Sequence, residues 1–217
     1  SEYKRVQRDI QLSEKAKCPV HIAHVSTAES VEVIAKAKKK GVKVTCETAP
    51  HYFSLSEESL LDYDTNKKIN PPLRSRKDLE AIKDGLVKGV IDVIASDHAP
   101  HSISDKDIEF DRAEFGVIGL ETELAVSITH LVQPGVLSWI ELVKKLSWNP
   151  AKILGIEKGT LTPGKDADMI IVDPDEVWVV KKEDFVSKSK NSAFIGATLK
   201  GLVVATILGG KIVYNNR

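Results

Sequence analysis

Three short, β-branched apolar runs, at residues 20–25, 42–48 and 90–95, are separated by stretches whose apolar residues recur at helical spacing. This alternation limits the chain more than any other feature. It predicts a βαβα order, and therefore parallel strands with helices packed outside them. Residues 4–16 read as a helix with Val6, Ile10 and Leu12 on its apolar face, ending at Cys18-Pro19. Ser26-Thr27-Ala28-Glu29 has the form of a capping box, followed by Val31, Ile34 and Ala35 and stopped at Gly41. Ser75 opens another helix, with Leu79, Ile82 and Leu86 buried and Gly89 as its end. The run at 90–95 is nearly all apolar, as a strand covered on both faces should be. Further helices are predicted over 120–132, 138–146 and 150–154, the last with Asn149 as cap and Pro150 at its first position.

After Gly155 the pattern changes. Residues 167–172 and 177–180 read as strands joined by an Asp173-Pro174-Asp175 turn. Residues 198–208 form a third, and Gly209-Gly210 marks a hairpin into a fourth. Two regions are expected: an α/β unit over 1–156 and a small all-β unit over 157–217. The chain has 31 Lys+Arg against 31 Asp+Glu, so the basic excess of a nucleic-acid binder is missing. No run approaches the roughly 18 apolar residues of a membrane span. Two cysteines, Cys18 and Cys46, make no disulfide framework, which suits a reducing, cytoplasmic setting.

Polar residues able to bind a metal stand at the ends of the apolar runs. His24 closes the first, His51 follows the second in Thr48-Ala49-Pro50-His51, and Asp97 follows the third in Ser96-Asp97-His98-Ala99-Pro100-His101. Parallel barrels build their sites at strand C-terminal ends, and imidazole with carboxylate is the natural ligand set for a hydrolytic zinc. Each residue alone also has a quieter reading: a hydrogen-bonded surface histidine, or an aspartate capping a helix. His21 and His24 are expected on opposite faces of their strand, with only His24 turned to the barrel mouth. His98 is read as a neighbour without a ligand role, and His101 as facing the site from its loop.

Taken in order, these segments resemble the dihydroorotases of the amidohydrolase superfamily. The stretch from His24 to Ser30 resembles their fifth-strand segment, and Ala49-Pro50-His51 their sixth-strand histidine motif. Asn70-Pro71-Pro72-Leu73-Arg74 is similar to the seventh-strand motif, and Ser96 to His101 to the eighth-strand signature. Gly159-Thr160-Leu161 through Asp168 is similar to the entry to the small β-domain. The resemblance implies the C-terminal part, about strands five to eight, of a (β/α)₈ barrel, and a zinc centre, usually of two metals. It implies that His24, His51 and Asp97 are the metal residues of this chain, and that Asp97, sitting by the metals, also shuttles a proton. It also implies that Asn70, His101 and the backbone at Phe115-Gly116 contact L-dihydroorotate. The implied reaction is the reversible opening of that cyclic amide to N-carbamoyl-L-aspartate in pyrimidine synthesis.

One departure is large. The family's first-strand His-x-His pair occurs nowhere in this sequence, and its bridging carboxylate would lie upstream. A closed barrel needs roughly 250 residues. The expectation is therefore the C-terminal half of a longer protein, with the N-terminal half as a cleaved and bound partner or outside the sequence. Two other readings stand beside dihydroorotase: a related cyclic amidase such as a hydantoinase or allantoinase, and an inactive dihydroorotase-like partner of aspartate transcarbamoylase.

Overall fold

A computed structural model describes residues 1–216. Helix α1 (Glu2–Ala16) leads into strand β1 (Val20–Ile22), helix α2 (Ala28–Lys39) and strand β2 (Val44–Thr48). Helices α3 (Pro50–Ser54) and α4 (Arg76–Val87) then precede strand β3 (Val93–Ile94). The three strands form one parallel sheet in the order β1-β2-β3, with Val20 opposite Val44, Ile22 opposite Cys46 and Thr48 opposite Ile94. Ile34, Cys46, Ile82, Leu86 and Ile91 are buried between the sheet and its helices. Gly85 lets α4 close on this core, since a methyl there would meet Ile91 Cδ1 at 3.0 Å and Val31 Cγ1 at 3.1 Å.

Local signals are shifted in several places. In α1, Leu12 is exposed and Ser13 joins Val6 and Ile10 on the buried face. Thr27 rather than Ser26 caps α2, accepting from Ser30 N, and Glu2 from the start of α1 accepts from the backbone N and hydroxyl of both Ser26 and Thr27. Ser75 caps α4 as expected, accepting from Asp78 N. The segment resembling a seventh strand is not a strand. Its consecutive prolines lack the N–H groups a ladder needs, and β3 pairs directly with β2.

Helix α5 (Ile103–Lys106) lies in the loop after β3. Helices α6 (Glu123–Ser127) and α7 (Trp139–Val143) each run on into a π-turn, over 128–132 and 144–148. Helix α8 (Asn149–Leu154) continues from the second of these turns, so Asn149 is its first residue rather than its cap. The Asn149 side chain instead donates to Asp92 O at 2.7 Å.

The remaining strands, β4 (Met169–Val179), β5 (Thr198–Leu208) and β6 (Lys211–Asn215), form an antiparallel sheet in that order. The expected turn at Asp173-Pro174-Asp175 is a bulge inside β4, where the register shifts between Asp173 and Val177. This sheet rests on the π-turn after α6. Lys200 N donates to Thr129 Oγ1 at 2.8 Å, and Gly201 lies so close that a methyl would meet Ile128 Cδ1 at 2.4 Å. Phe185, Phe194 and Leu199 share one core cluster with Ile34 and Cys46. Among the described residues no helix is long and apolar enough to cross a membrane.

Candidate metal centre

The ladder of the parallel sheet continues past its strands and positions the candidate ligands. Beyond β1, Val25 N donates to Glu47 O at 2.9 Å while Thr48 Oγ1 donates to Val25 O at 2.8 Å. Between these, His24 takes a left-handed backbone conformation, φ 55°. Beyond β2, Pro50 starts α3 and places His51 in its first turn, only 1% exposed and edge-on to Tyr52 at 4.2 Å between ring centres. Beyond β3, Ala95 N donates to Thr48 O at 2.9 Å, and Asp97 is again left-handed, φ 48°.

These turns bring the three residues together. Asp97 Oδ1 lies 3.5 Å from His24 Nε2, and Asp97 Oδ2 lies 3.6 Å from His51 Nε2. Glu47, in β2, joins the group: its Oε1 is 3.3 Å from His24 Nδ1 and its Oε2 is 3.1 Å from His21 Nε2. The expected separation of His21 and His24 onto opposite faces does not hold. The strand ends at Ile22, the backbone turns at His24, and both rings reach the same carboxylate.

Burial sets the charge states. It is the main cause holding His51 down to about 3, with repulsion from His24 second, so this imidazole is neutral at ordinary pH. Burial also raises Asp97 above the usual carboxylate range; His24 opposes the shift and Glu47 adds to it. Glu123, in α6, is pushed up to about 7 by burial and by Glu47.

Three buried side-chain atoms have no hydrogen-bond partner among the described residues: His24 Nδ1, His51 Nε2 and Glu123 Oε1. His24 Nδ1 is close to Glu47 but not angled for a hydrogen bond. Buried polar atoms are nearly always paired, so the orphaned His51 Nε2, 3.6 Å from Asp97 Oδ2, fits a cation-binding role, while His24 Nδ1 faces Glu47. Among the described residues no group of three or more His, Cys, Asp or Glu side chains is placed to hold a metal ion.

The other predicted residues fall into two neighbourhoods. Asn70 is exposed and shares a cavity of about 440 Å³ with His21, His24 and Arg74. Arg74 ties this segment to the loop after His24, with Nε donating to Ser26 Oγ at 3.1 Å and Nη2 3.6 Å from Glu2. His101 lines a separate cavity of about 510 Å³ with Asn66, Lys106 and Asn191. Its Nε2–H donates to Phe115 O at 2.9 Å. Phe115 lies under the Lys68 ammonium at 4.6 Å, and Gly116 N donates to Lys68 O at 2.9 Å. No hydrogen bond among the described residues joins His101 or Phe115 to the His24–His51–Asp97 group. His98 Nδ1 accepts from Gly119 N at 3.1 Å, a structural task.

Sequence reasoning missed Glu47, although a carboxylate in a half-buried strand is a signal, because it is costly there unless paired. It also missed Lys68 and Asn191, whose partners are distant in sequence and leave no local pattern, and Lys106, which bonds carbonyls within its own loop.

Similarity to known proteins runs along the whole of this geometry. The chain is 54% identical over 207 residues to a dihydroorotase from Geobacter metallireducens, covering 95% of this chain and 49% of that protein. It is 54% identical over 212 residues to one from Acetivibrio thermocellus, covering 98% and 50%. It thus spans about half the length of the curated relatives it matches. Among solved structures, an L-hydantoinase (dihydropyrimidinase) from Arthrobacter aurescens superposes with a TM-score of 0.94 at 34% identity, covering 98% of this chain and 48% of that one. A dihydropyrimidinase from Brevibacillus agri gives a TM-score of 0.92 at 27% identity, covering 99% and 48%. Residues 3–213 match the amidohydrolase family, and the chain belongs to it.

Proposed function

We propose that these residues form one half of a zinc-dependent dihydroorotase, which opens the cyclic amide of L-dihydroorotate to N-carbamoyl-L-aspartate and closes it again. The observation that carries this is the convergence of His24 Nε2 and His51 Nε2 on the two oxygens of Asp97, the His51 nitrogen being buried without a hydrogen-bond partner. Identity of 54% to dihydroorotases, against 34% to the L-hydantoinase, favours dihydroorotate as the ring. The remaining ligands come from the other half of the barrel; of the expected strands five to eight this chain supplies β1, β2 and β3, and the segment at residues 70–74 runs between α3 and α4 without forming a strand. Residues 1–156 form the barrel part and 157–217 a small β unit. The two free cysteines, one buried and one exposed, suit a reducing cytoplasm.

His24 and His51 would hold zinc, of which the complete site takes two. When bound, zinc supplies a Lewis acid that polarises the ring carbonyl and acidifies water. Neutral His51 presents a lone pair with no proton to displace. Asp97 accepts the proton of the attacking water and returns it to the leaving ring nitrogen. Its proton affinity, raised by burial and by Glu47, suits a group that must hold that proton between the two steps. Asn70, His101 and the Phe115-Gly116 corner bind dihydroorotate from two sides.

The test uses the complete enzyme loaded with zinc. Asp97→Asn should abolish dihydroorotate turnover while zinc content and fold persist; turnover at the wild-type rate would refute the proton-shuttle role. The high structural similarity to hydantoinases supports a second reading, a related cyclic amidase. Hydantoin turnover without dihydroorotate turnover would establish it in place of the first. A zinc-free protein that binds aspartate transcarbamoylase and turns over neither ring would instead be a scaffold.

A further inference from the structure

We infer that Asn191 is a positioning residue that sets His101 and the Phe115-Gly116 corner in fixed relation for substrate binding, an inference that takes its substrate from the dihydroorotase reading above. Asn191 lies in the segment between β4 and β5, far in sequence from either element it touches, and is 4% exposed. Its side chain is fully used. Oδ1 accepts from His101 N at 3.2 Å, and Nδ2 donates to Ala99 O and to Gly116 O, both at 3.1 Å. Its own carbonyl accepts from Ile118 N at 3.0 Å.

The corner it braces has little slack. Gly116 has φ +134°, and a methyl there would meet Ala99 Cβ at 2.6 Å and His101 Nε2 at 3.0 Å. Gly116 O takes a second bond from Lys106 Nζ at 3.0 Å, and Gly116 N donates to Lys68 O at 2.9 Å. Both polar groups of this peptide are therefore engaged within the chain, and Gly116 acts on a bound ring by its shape and place. His101 is held at two points, its backbone by Asn191 and its ring by Phe115 O.

Only a primary amide offers one acceptor and two donors on a planar frame of this size. An aspartate would turn acceptors toward two carbonyls, and a serine would leave at least one of them unpaired. A buried amide that merely satisfies loop carbonyls would affect stability alone. A brace for substrate-binding groups should also weaken binding, raising KM while the chemical step persists.

Asn191→Asp and Asn191→Ser in the complete zinc enzyme separate these cases. Hydrogen–deuterium exchange over residues 102–116 should accelerate in both variants. KM for dihydroorotate should rise about tenfold, with kcat within roughly twofold of wild type and zinc content unchanged. If the aspartate variant does not fold, the serine variant decides. Unchanged exchange in the loop would overturn the brace, and so would a loss of kcat at constant KM. If the parent enzyme turns over no dihydroorotate, the functional reading fails, while the exchange comparison still decides whether Asn191 holds the corner.

Discussion

Gly119→Ala tests how the fold holds Asp97. Residues 117–119 pass directly against the end of β3. A methyl at Gly119 would lie 2.3 Å from Ser96 O and 3.2 Å from the Ser96 carbonyl carbon, both backbone atoms of the residue before Asp97. Ordinary contact begins at 3.4 Å, so the two segments must part by about 1 Å. Neither side yields freely. Gly119 N is held by His98 Nδ1 at 3.1 Å, Ala99 N by Val117 O at 2.8 Å and Ala95 N by Thr48 O at 2.9 Å. The displacement therefore falls on Asp97, which is already left-handed and whose two oxygens lie 3.5 and 3.6 Å from His24 and His51. Overpacking of this kind costs about 1–3 kcal/mol. Moving a reacting group by about 1 Å can cost about 10²-fold in rate. Urea denaturation would measure the first effect, and kcat/KM for dihydroorotate at saturating zinc the second. Gly89→Ala is the control: φ is +69° and nothing lies within 4 Å, so backbone strain is added far from the site. It should lose stability by about 1 kcal/mol and keep kcat/KM. A Gly119→Ala enzyme with wild-type kcat/KM, or one that loses no more than the control, would refute the reasoning.

Three further substitutions probe the same arrangement. His51→Ala should lower zinc content by metal analysis where Asp97→Asn does not; full zinc in His51→Ala would remove it from the ligand set. Glu47→Gln removes the charge shared by His21 and His24 and should weaken zinc affinity about 10–100-fold in chelator competition, whereas wild-type affinity would show that Glu47 does not orient His24. Burial, with Lys68 second, lowers Lys106 from 10.5 to about 8. A base whose folded value is depressed carries its full penalty below that value and sheds it as pH rises. Between about 8 and 10.5 the unfolded chain holds more protons, so stability should increase with pH. Lys106→Met should flatten that rise in denaturation at pH 7, 9 and 10.5, and an unchanged slope would reassign it to another group.

What was readable from the sequence was local. The runs at 42–48 and 90–95 become neighbouring parallel strands because an apolar, β-branched stretch needs no distant partner to be recognised. The positions of His51 and Asp97 follow directly, each just beyond a strand's C-terminal end. His24 lies two residues beyond the end of β1 rather than closing it, and alternation cannot govern a residue in a left-handed turn. Other failures were long-range. Glu2 from α1 accepts from both Ser26 and Thr27 while Thr27 caps α2, and no pattern within the Ser26–Glu29 stretch contains that distant partner. Asp173-Pro174-Asp175 looks like a turn, yet β4 is an edge strand, where a proline and a bulge are tolerated without ending the strand. Asn191 had no signature at all, since its meaning lies in partners 75 to 92 residues away.

The site residues are held by bonds internal to this chain, and that bears on what can occupy their centre. The ladder from Val25 through Glu47 and Thr48 to Ala95 fixes three strand ends in register, so the left-handed turns at His24 and Asp97 are imposed by surrounding structure. Each such residue costs of order 1–3 kcal/mol, and strain of this kind collects at functional sites. Two orphaned ring nitrogens add the cost of desolvation without partners. A proton relieves only one of these atoms, and for His51 burial opposes it down to about 3. Water could pair with His51 Nε2 but would leave the half-buried Asp97 charge without a counter-ion. A divalent cation beside Asp97 accepts a lone pair from His51 Nε2 and one from His24 Nε2, leaves His24 Nδ1 to Glu47, and offsets the carboxylate charge. It is therefore the occupant whose chemistry answers each unfavourable feature built in at these three strand ends.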